Sequence, residues 1–513
     1  MTFQLRGAAD EAGWRGAAFL FFLSVCAGAV GALGQAPRDL PLAMLLGVAG
    51  AFLLFAACTW PRRAALVGWA FGLGWFAVAL HWIVEPFQVD AARHGWMAPF
   101  ALVLLSGGLA LFWGAAFGIA RRFSTGVLLL VPVWAAAELV RAYVLTGFPW
   151  AAPAQALVDR MAGQGLAFVG PHGMNLAIFA LACLPAFIHR RRGNNGQSSL
   201  AALIILAGIM PVVLPVPQGA ARMTDHWVRL IQPNAAQHLK WQPENARRFL
   251  DLQLALTARP AAGQTSGPDL VIWPETAIAW RLDQAAPVLE AIRSVTDAQV
   301  VLGVLRAQEG RLRNSLVHLG PDEGQQIYDK HHLVPFGEYL PLAPLADALG
   351  LAALAQTGPA FAPGPGPAVL DFGALGQGMP LICYEAVFAH DVNAAPQRPA
   401  FLLQITNDAW FGQFAGPHQH LAQARMRAIE QGVPVLRAAN TGISAVIDPR
   451  GRIAAHLPLG RADALDARLP APLGRTFYSR FGDMTAMVLI AAWTGLLLLL
   501  RFGATKADRR PDR

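Results

Sequence analysis

Cys383, Glu275 and Lys330 are the side chains through which this sequence could do chemistry. Cys383 lies in Gly378-Met379-Pro380-Leu381-Ile382-Cys383-Tyr384-Glu385, inside the long stretch polar enough for a soluble domain. Cys26, Cys58 and Cys183 fall in strongly apolar runs, so that stretch holds one thiol and no partner for it. A lone thiol there is either an inert core residue or a nucleophile. Glu275 ends an apolar strand in Trp273-Pro274-Glu275-Thr276. A carboxylate held rigid and partly desolvated there suits a general base, although an acidic residue at a strand end is more often a loop or capping residue. Lys330 stands in Tyr328-Asp329-Lys330-His331-His332-Leu333-Val334-Pro335-Phe336-Gly337-Glu338, before a turn containing Pro and Gly. Its ammonium would favour the thiolate and stabilise an oxyanion; alone, it reads as a surface lysine.

Taken together, these residues suit acyl transfer. The thiol attacks an acyl carbonyl and forms a thioester, with Glu275 as base and then as acid. Lys330 holds the oxyanion, toward which the backbone N–H of Tyr384 would point, and a second nucleophile resolves the thioester. The sequence has no G-x-x-x-x-G-K-[ST] run, so no nucleotide is expected and the acyl donor must arrive already activated. No metal or other cofactor is expected. His331 and His332 are adjacent and would face opposite ways on a strand, and His418-x-His420 is short with no cysteine nearby.

The elements that must position these residues alternate. Strands are expected near 228–234, 269–275, 299–304, 313–319, 326–330, 367–372, 379–383, 400–406, 434–438 and 442–448. Helices are expected near 242–257, 284–296 and 418–432. Strand–helix–strand order early and hairpins later predict an α/β sandwich. Leu340 to Pro365 is apolar and almost uncharged, which suits either an interface with lipid or a buried helix.

The flanks are of another class. Of 513 residues, 55% are apolar and only 14% charged, which fits an integral membrane protein. Seven apolar runs are read as spans, about 16–34, 40–59, 64–84, 97–120, 124–140, 165–188 and 199–217, and an eighth at about 484–500. The net charge of +8 does not point to nucleic acid. Arg62 and Arg63, Arg121 and Arg122, Arg190 to Arg192, and the cluster Arg501, Lys506, Arg509, Arg510 and Arg513 each follow an even-numbered span. That positive-inside pattern places both termini in the cytoplasm and the soluble stretch on the far side. An inner membrane facing a periplasm suits this layout. Domains are expected at 1–220 (seven spans), 221–478 (catalytic) and 479–513 (eighth span and basic tail). Trp150, in Thr146-Gly147-Phe148-Pro149-Trp150, reads as an interfacial anchor. Glu138 and Arg141, one turn apart, read as a local pair or a lipid-headgroup site.

Glu275, Lys330 and Cys383, in that order and with these surroundings, resemble the triad of the nitrilase (carbon–nitrogen hydrolase) superfamily. The run Thr406-Asn407-Asp408-Ala409-Trp410-Phe411 is similar to that family as well. With spans before and after, the whole chain resembles the apolipoprotein N-acyltransferase family. The resemblance implies an αββα nitrilase-like domain beside a polytopic helical membrane domain of eight spans. It implies a phospholipid acyl donor, and as acceptor the α-amino group of an S-diacylglyceryl cysteine at an apolipoprotein N-terminus, with the Leu340 to Pro365 segment as a lid. It also implies supporting roles for Trp241 at the entrance, Glu338 close to the triad, and Tyr384 and Glu385 beside the nucleophile. Interfacial anchoring, an ion pair and core packing are the plainer readings of those four. With water as acceptor the same triad would make an amidase or nitrilase. A transporter with an accessory domain would need buried charges in the middles of several spans, and few are there.

Overall fold

The computed structural model describes residues 13–190, 205–217, 219, 221–261, 267–321, 324–341 and 360–507. The chain divides into two compact units, Met1–Gln218 with Thr476–Arg513, and Gly219–Arg475.

The first unit is helical. Its main helices are α1 (Gly13–Ala32), α2 (Pro41–Ala57), α3 (Pro61–Ala79), α4 (Ala98–Phe123), α5 (Leu130–Arg141) and α6 (Leu166–Arg190), with a last helix at Met484–Ala507. Small residues let α1 and α3 touch: a Cβ on Gly28 would lie 2.0 Å from the Phe71 carbonyl oxygen, and one on Gly74 2.1 Å from that of Val25. Arg15–Ala32, Ala91–Phe123 and Met161–His189 are long and apolar enough to cross a membrane. Pro61–Ala79 with His81–Gln88, bent by 48°, makes a fourth if the pair is one span. Pro41–Ala57 and Met484–Leu500 are shorter apolar helices. The described helices therefore fall short of eight spans by length and composition. The fifth expected span is a helix of only 12 residues, and part of the seventh lies outside the described residues.

Glu138 and Arg141 form the local pair. Arg141 donates to both Glu138 oxygens at 2.8 and 2.7 Å, and Trp113 Nε1 donates to Glu138 Oε1 at 2.7 Å. Both charges are buried, so neither is presented to a headgroup. Arg141 also holds the Phe148 carbonyl, and the Trp150 carbonyl at 2.9 Å. Trp150 is consequently buried, its ring 4.7 Å from that of Trp82, and is not an interfacial anchor.

The second unit is a four-layer sandwich. Its strands are β1 (Met223–Gln232), β2 (Leu270–Ile272), β3 (Gln299–Gln308), β4 (Arg311–Leu319), β5 (Gln325–Asp329), β6 (Leu370–Asp371), β7 (Gln377–Ile382), β8 (Phe401–Thr406), β9 (Val435–Ala439), β10 (Ser444–Ile447), β11 (Ile453–Leu457) and β12 (Asp463–Pro470). They form two six-stranded sheets, ordered β12-β1-β2-β3-β4-β5 and β11-β10-β9-β8-β7-β6. Side-chain alternation sorts the layers. Val228, Leu230, Leu270, Ile272 and Val301 meet Ile382, Leu403, Ile405 and Leu436 between the sheets. Val271, Val300 and Leu302 face outward to α7 (Pro243–Ala258) and α8 (Ala286–Val295). Met379, Leu381 and Leu402 face α9 (Gly416–Gln431) on the other side. This is the αββα arrangement expected. Strands β11 and β12 were not anticipated; β12 closes the first sheet antiparallel to β1.

Candidate active site

The three candidate residues leave the C-terminal ends of strands from both sheets. β2 runs on through Trp273, whose N–H donates to the Val301 carbonyl at 2.8 Å, to Glu275. Thr276 then takes a left-handed φ of 44°. Gly303 permits that turn: a Cβ there would lie 2.5 Å from Thr276 N and 2.6 Å from Glu275 Cα. Lys330 follows β5, its N–H donating to the Asn314 carbonyl at 2.9 Å. Cys383 follows β7 and has φ +54°, costly for a non-glycine residue and sustained only where the surroundings hold it.

Those surroundings are polar and buried. The Cys383 carbonyl oxygen lies 3.0 Å from His420 Nε2 and accepts from Gln404 Nε2 at 3.2 Å. His420 Nδ1 lies 2.9 Å from Asp408 Oδ1, and Arg437 donates to Asp408 Oδ2 and, at 2.7 Å, to Gln404 Oε1. Burial disfavours the Asp408 charge, but Arg437 and His420 outweigh it and hold the carboxyl below its ordinary range. On the other side Glu385 works as a clamp. Its Oε2 accepts from Ile382 N at 2.7 Å; its Oε1 accepts from Tyr328 Oη and His331 N, each at 2.8 Å. It ties the turn at Cys383 to the segment after Lys330.

Lys330 Nζ lies 2.9 Å from Glu338 Oε1 and 3.8 Å from Glu275 Oε1. Asn314 Nδ2 donates to both carboxylates, at 2.7 Å to Glu275 and 3.2 Å to Glu338. Glu275 Oε2 accepts from Asn407 N at 2.8 Å, and Glu338 Oε2 from Val334 N at 2.8 Å. Burial works against the charge on Lys330, yet Glu338 and Glu275 outweigh it and raise its ammonium above the ordinary lysine value. Burial pushes the Cys383 thiol up, and the Glu275 carboxylate adds to this, while Lys330 pulls the other way. The resting group is a thiol, so attack requires a base. Lys330 favours the thiolate as expected but does not prevail alone.

Trp241 is half-exposed beside the short helix Gln237–Lys240, with Lys240 Nζ 5.6 Å from its ring centre. Tyr384 is buried edge-on against Phe388 at 4.9 Å and His332 at 5.8 Å. The apolar segment proposed as a lid lies mostly outside the described residues.

Asn314 and Lys240 escaped the sequence reading, and Asn407 and His420 were named there without the supporting contacts they make. Lys240 is buried and donates to the Glu275 carbonyl oxygen at 3.1 Å and to Thr276 Oγ1 at 2.6 Å. Burial lowers it to about 8, against a smaller opposing effect of Glu275. The one signal was its place beside Trp241. The adjacent histidines also differ from expectation. They follow β5 rather than lie on it, and both imidazoles turn to Asp391.

Comparison with known proteins bears on both units. Residues 223–476 match the carbon-nitrogen hydrolase family model, and residues 27–184 match the model of the apolipoprotein N-acyltransferase N-terminal domain. An apolipoprotein N-acyltransferase of Caulobacter vibrioides is 38% identical over 98% of this chain and 98% of its own length. One of Rhodopseudomonas palustris is 35% identical over 95% of each. Among solved structures, a CN-hydrolase superfamily protein of Xanthomonas campestris is 22% identical with a TM-score of 0.35, covering 48% of this chain and 91% of that one.

Proposed function

The chain belongs to the apolipoprotein N-acyltransferase family, and from that premise we propose that it moves an acyl chain from a membrane phospholipid, through a thioester on Cys383, to the N-terminal α-amino group of S-diacylglyceryl-cysteine apolipoproteins. The observation that carries the reading is a buried thiol within reach of a buried carboxylate and lysine that lie 3.8 Å apart, its ionisation opposed by burial and Glu275 and favoured by Lys330.

The steps balance as follows. Glu275 takes the thiol proton as sulfur attacks the ester carbonyl. Lys330 and the Tyr384 N–H face the oxyanion that forms. The C–O bond breaks, Glu275 returns the proton to the departing lysophospholipid oxygen, and the thioester remains. The acceptor amine then attacks the same carbonyl, loses a proton to Glu275, and expels the thiolate, which regains that proton. The half-exposed Trp241 lies at the entrance, and Glu338 fixes Lys330. Tyr384 packs the nucleophile's turn and Glu385 clamps it.

The setting we propose is a bacterial inner membrane crossed eight times. Residues 1–220 and 479–513 hold the spans, 221–478 the periplasmic catalytic domain, and both termini lie in the cytoplasm. The charge pattern supports this orientation. A domain tethered at both ends meets its lipid substrates at high effective concentration.

The test is acyl transfer by full-length protein in phospholipid vesicles whose acyl chains are labelled, with a synthetic diacylated lipopeptide as acceptor. Label should enter an amide at the lipopeptide N-terminus, and acetylating that amine beforehand should stop it. Release of labelled fatty acid at the same rate with or without acceptor would make the protein a hydrolase.

A further inference from the structure

We infer that His331, His332 and Asp391 form a site for a divalent transition-metal ion of the zinc type, one shell away from the nucleophile's turn. The ligand atoms of these three residues all lie within 4.8 Å of one another. His331 Nε2 stands 3.4 Å from Asp391 Oδ2, and His332 Nδ1 2.7 Å from the same oxygen. Ligands on a tetrahedral ion with bonds of about 2.0–2.1 Å stand about 3.3 Å apart, so His331 already has that spacing from Asp391 and His332 needs to draw back a little.

Two further features point to an ion. His331 Nε2 is buried and makes no hydrogen bond of proper geometry. Its other nitrogen, Nδ1, is 2.7 Å from Glu385 Oε1. A carboxylate behind an imidazole, orienting it and fixing its tautomer, is the usual backing of a metal-bound histidine. His332 is equally fixed, stacked on Phe388 at 3.5 Å between ring centres.

Three side chains and water complete the coordination. The ion would join the loop after Lys330 to the segment after Cys383. Glu385, which holds both His331 and Ile382 N, transmits the constraint to the nucleophile.

The test uses full-length protein without a polyhistidine tag, stripped by chelator, loaded with Zn²⁺ or Co²⁺, and desalted. We expect about one ion per chain by elemental analysis, visible Co²⁺ bands of a low-coordinate site, and a melting temperature raised by Zn²⁺. His332→Gln and Asp391→Asn should each lose all three, while His418→Gln, outside the cluster, keeps them. Because Asp391→Asn could unfold the loop, His331→Gln is the second variant, and melting of every metal-free form is measured. Retention far below one ion per chain, or full retention in both His331→Gln and His332→Gln, overturns the inference.

Discussion

Glu338 Oε1 lies 2.9 Å from Lys330 Nζ and is its nearer carboxylate, with Glu275 Oε1 at 3.8 Å. The lysine is thereby neutralised mainly by a residue that need not accept a proton, and Glu275 stays available as a base. Glu338→Gln should turn Lys330 toward Glu275 and weaken that base. We expect kcat to fall about 10²-fold or more with little change in KM for the lipid. Steady-state kinetics check this; an unchanged kcat would contradict it.

Lys240 supplies a pH signature. Its folded value is lowered from 10.5 to about 8. Between those values the unfolded chain binds the extra proton, so stability rises with pH across that window. Lys240→Met removes the effect. The stability difference should move in favour of wild type by up to roughly 3 kcal/mol between pH 8 and pH 10.5. Thermal melts of both proteins across that range check it, and a constant difference would refute it.

Glu385 is predicted to matter through support rather than chemistry. Glu385→Ala leaves Ile382 N, His331 N and Tyr328 Oη without their acceptor. With the His331 imidazole, 2.7 Å from Glu385 Oε1, stranded as well, a cost of about 3–5 kcal/mol follows. Glu385→Gln keeps one acceptor oxygen and should recover part of both stability and kcat. Equal behaviour of the two variants, by melting and by rate, would argue against the clamp.

In the helical unit, Glu138→Gln breaks a fully buried pair that also holds Trp113 and the turn at Phe148 and Trp150. The expected loss is about 3–5 kcal/mol, seen as a lower melting temperature in detergent. A neutral outcome would mean the pair is dispensable.

The candidate triad was legible because Glu275, Lys330 and Cys383 each end an apolar strand, and an isolated Glu, Lys or Cys there stands out by type. Asn314 did not stand out: it is one polar residue within β4, and only pairing beside β3 and β5 carries it to Glu275 and Glu338. His420 lies on α9, where its contact with the Cys383 carbonyl spans 37 positions. Trp150 was misread because a Trp–Pro pair near an apolar run looks interfacial, whereas Arg141 draws its carbonyl inward. The count of eight spans was read from apolar composition alone, and α5, with its 12 residues, is shorter than the run it was read from.

In the proposed reaction the acyl chain rests on Cys383 between donor and acceptor. Full-length protein is incubated with a phospholipid carrying a labelled acyl chain and no acceptor, then digested and analysed by mass spectrometry. One acyl adduct on the Cys383 peptide is expected, released by neutral hydroxylamine, absent in Cys383→Ser, and lost on adding a diacylated lipopeptide that becomes labelled. Acyl transfer to the lipopeptide by Cys383→Ser at the wild-type rate, or an adduct on another residue that is passed to the acceptor, would contradict it.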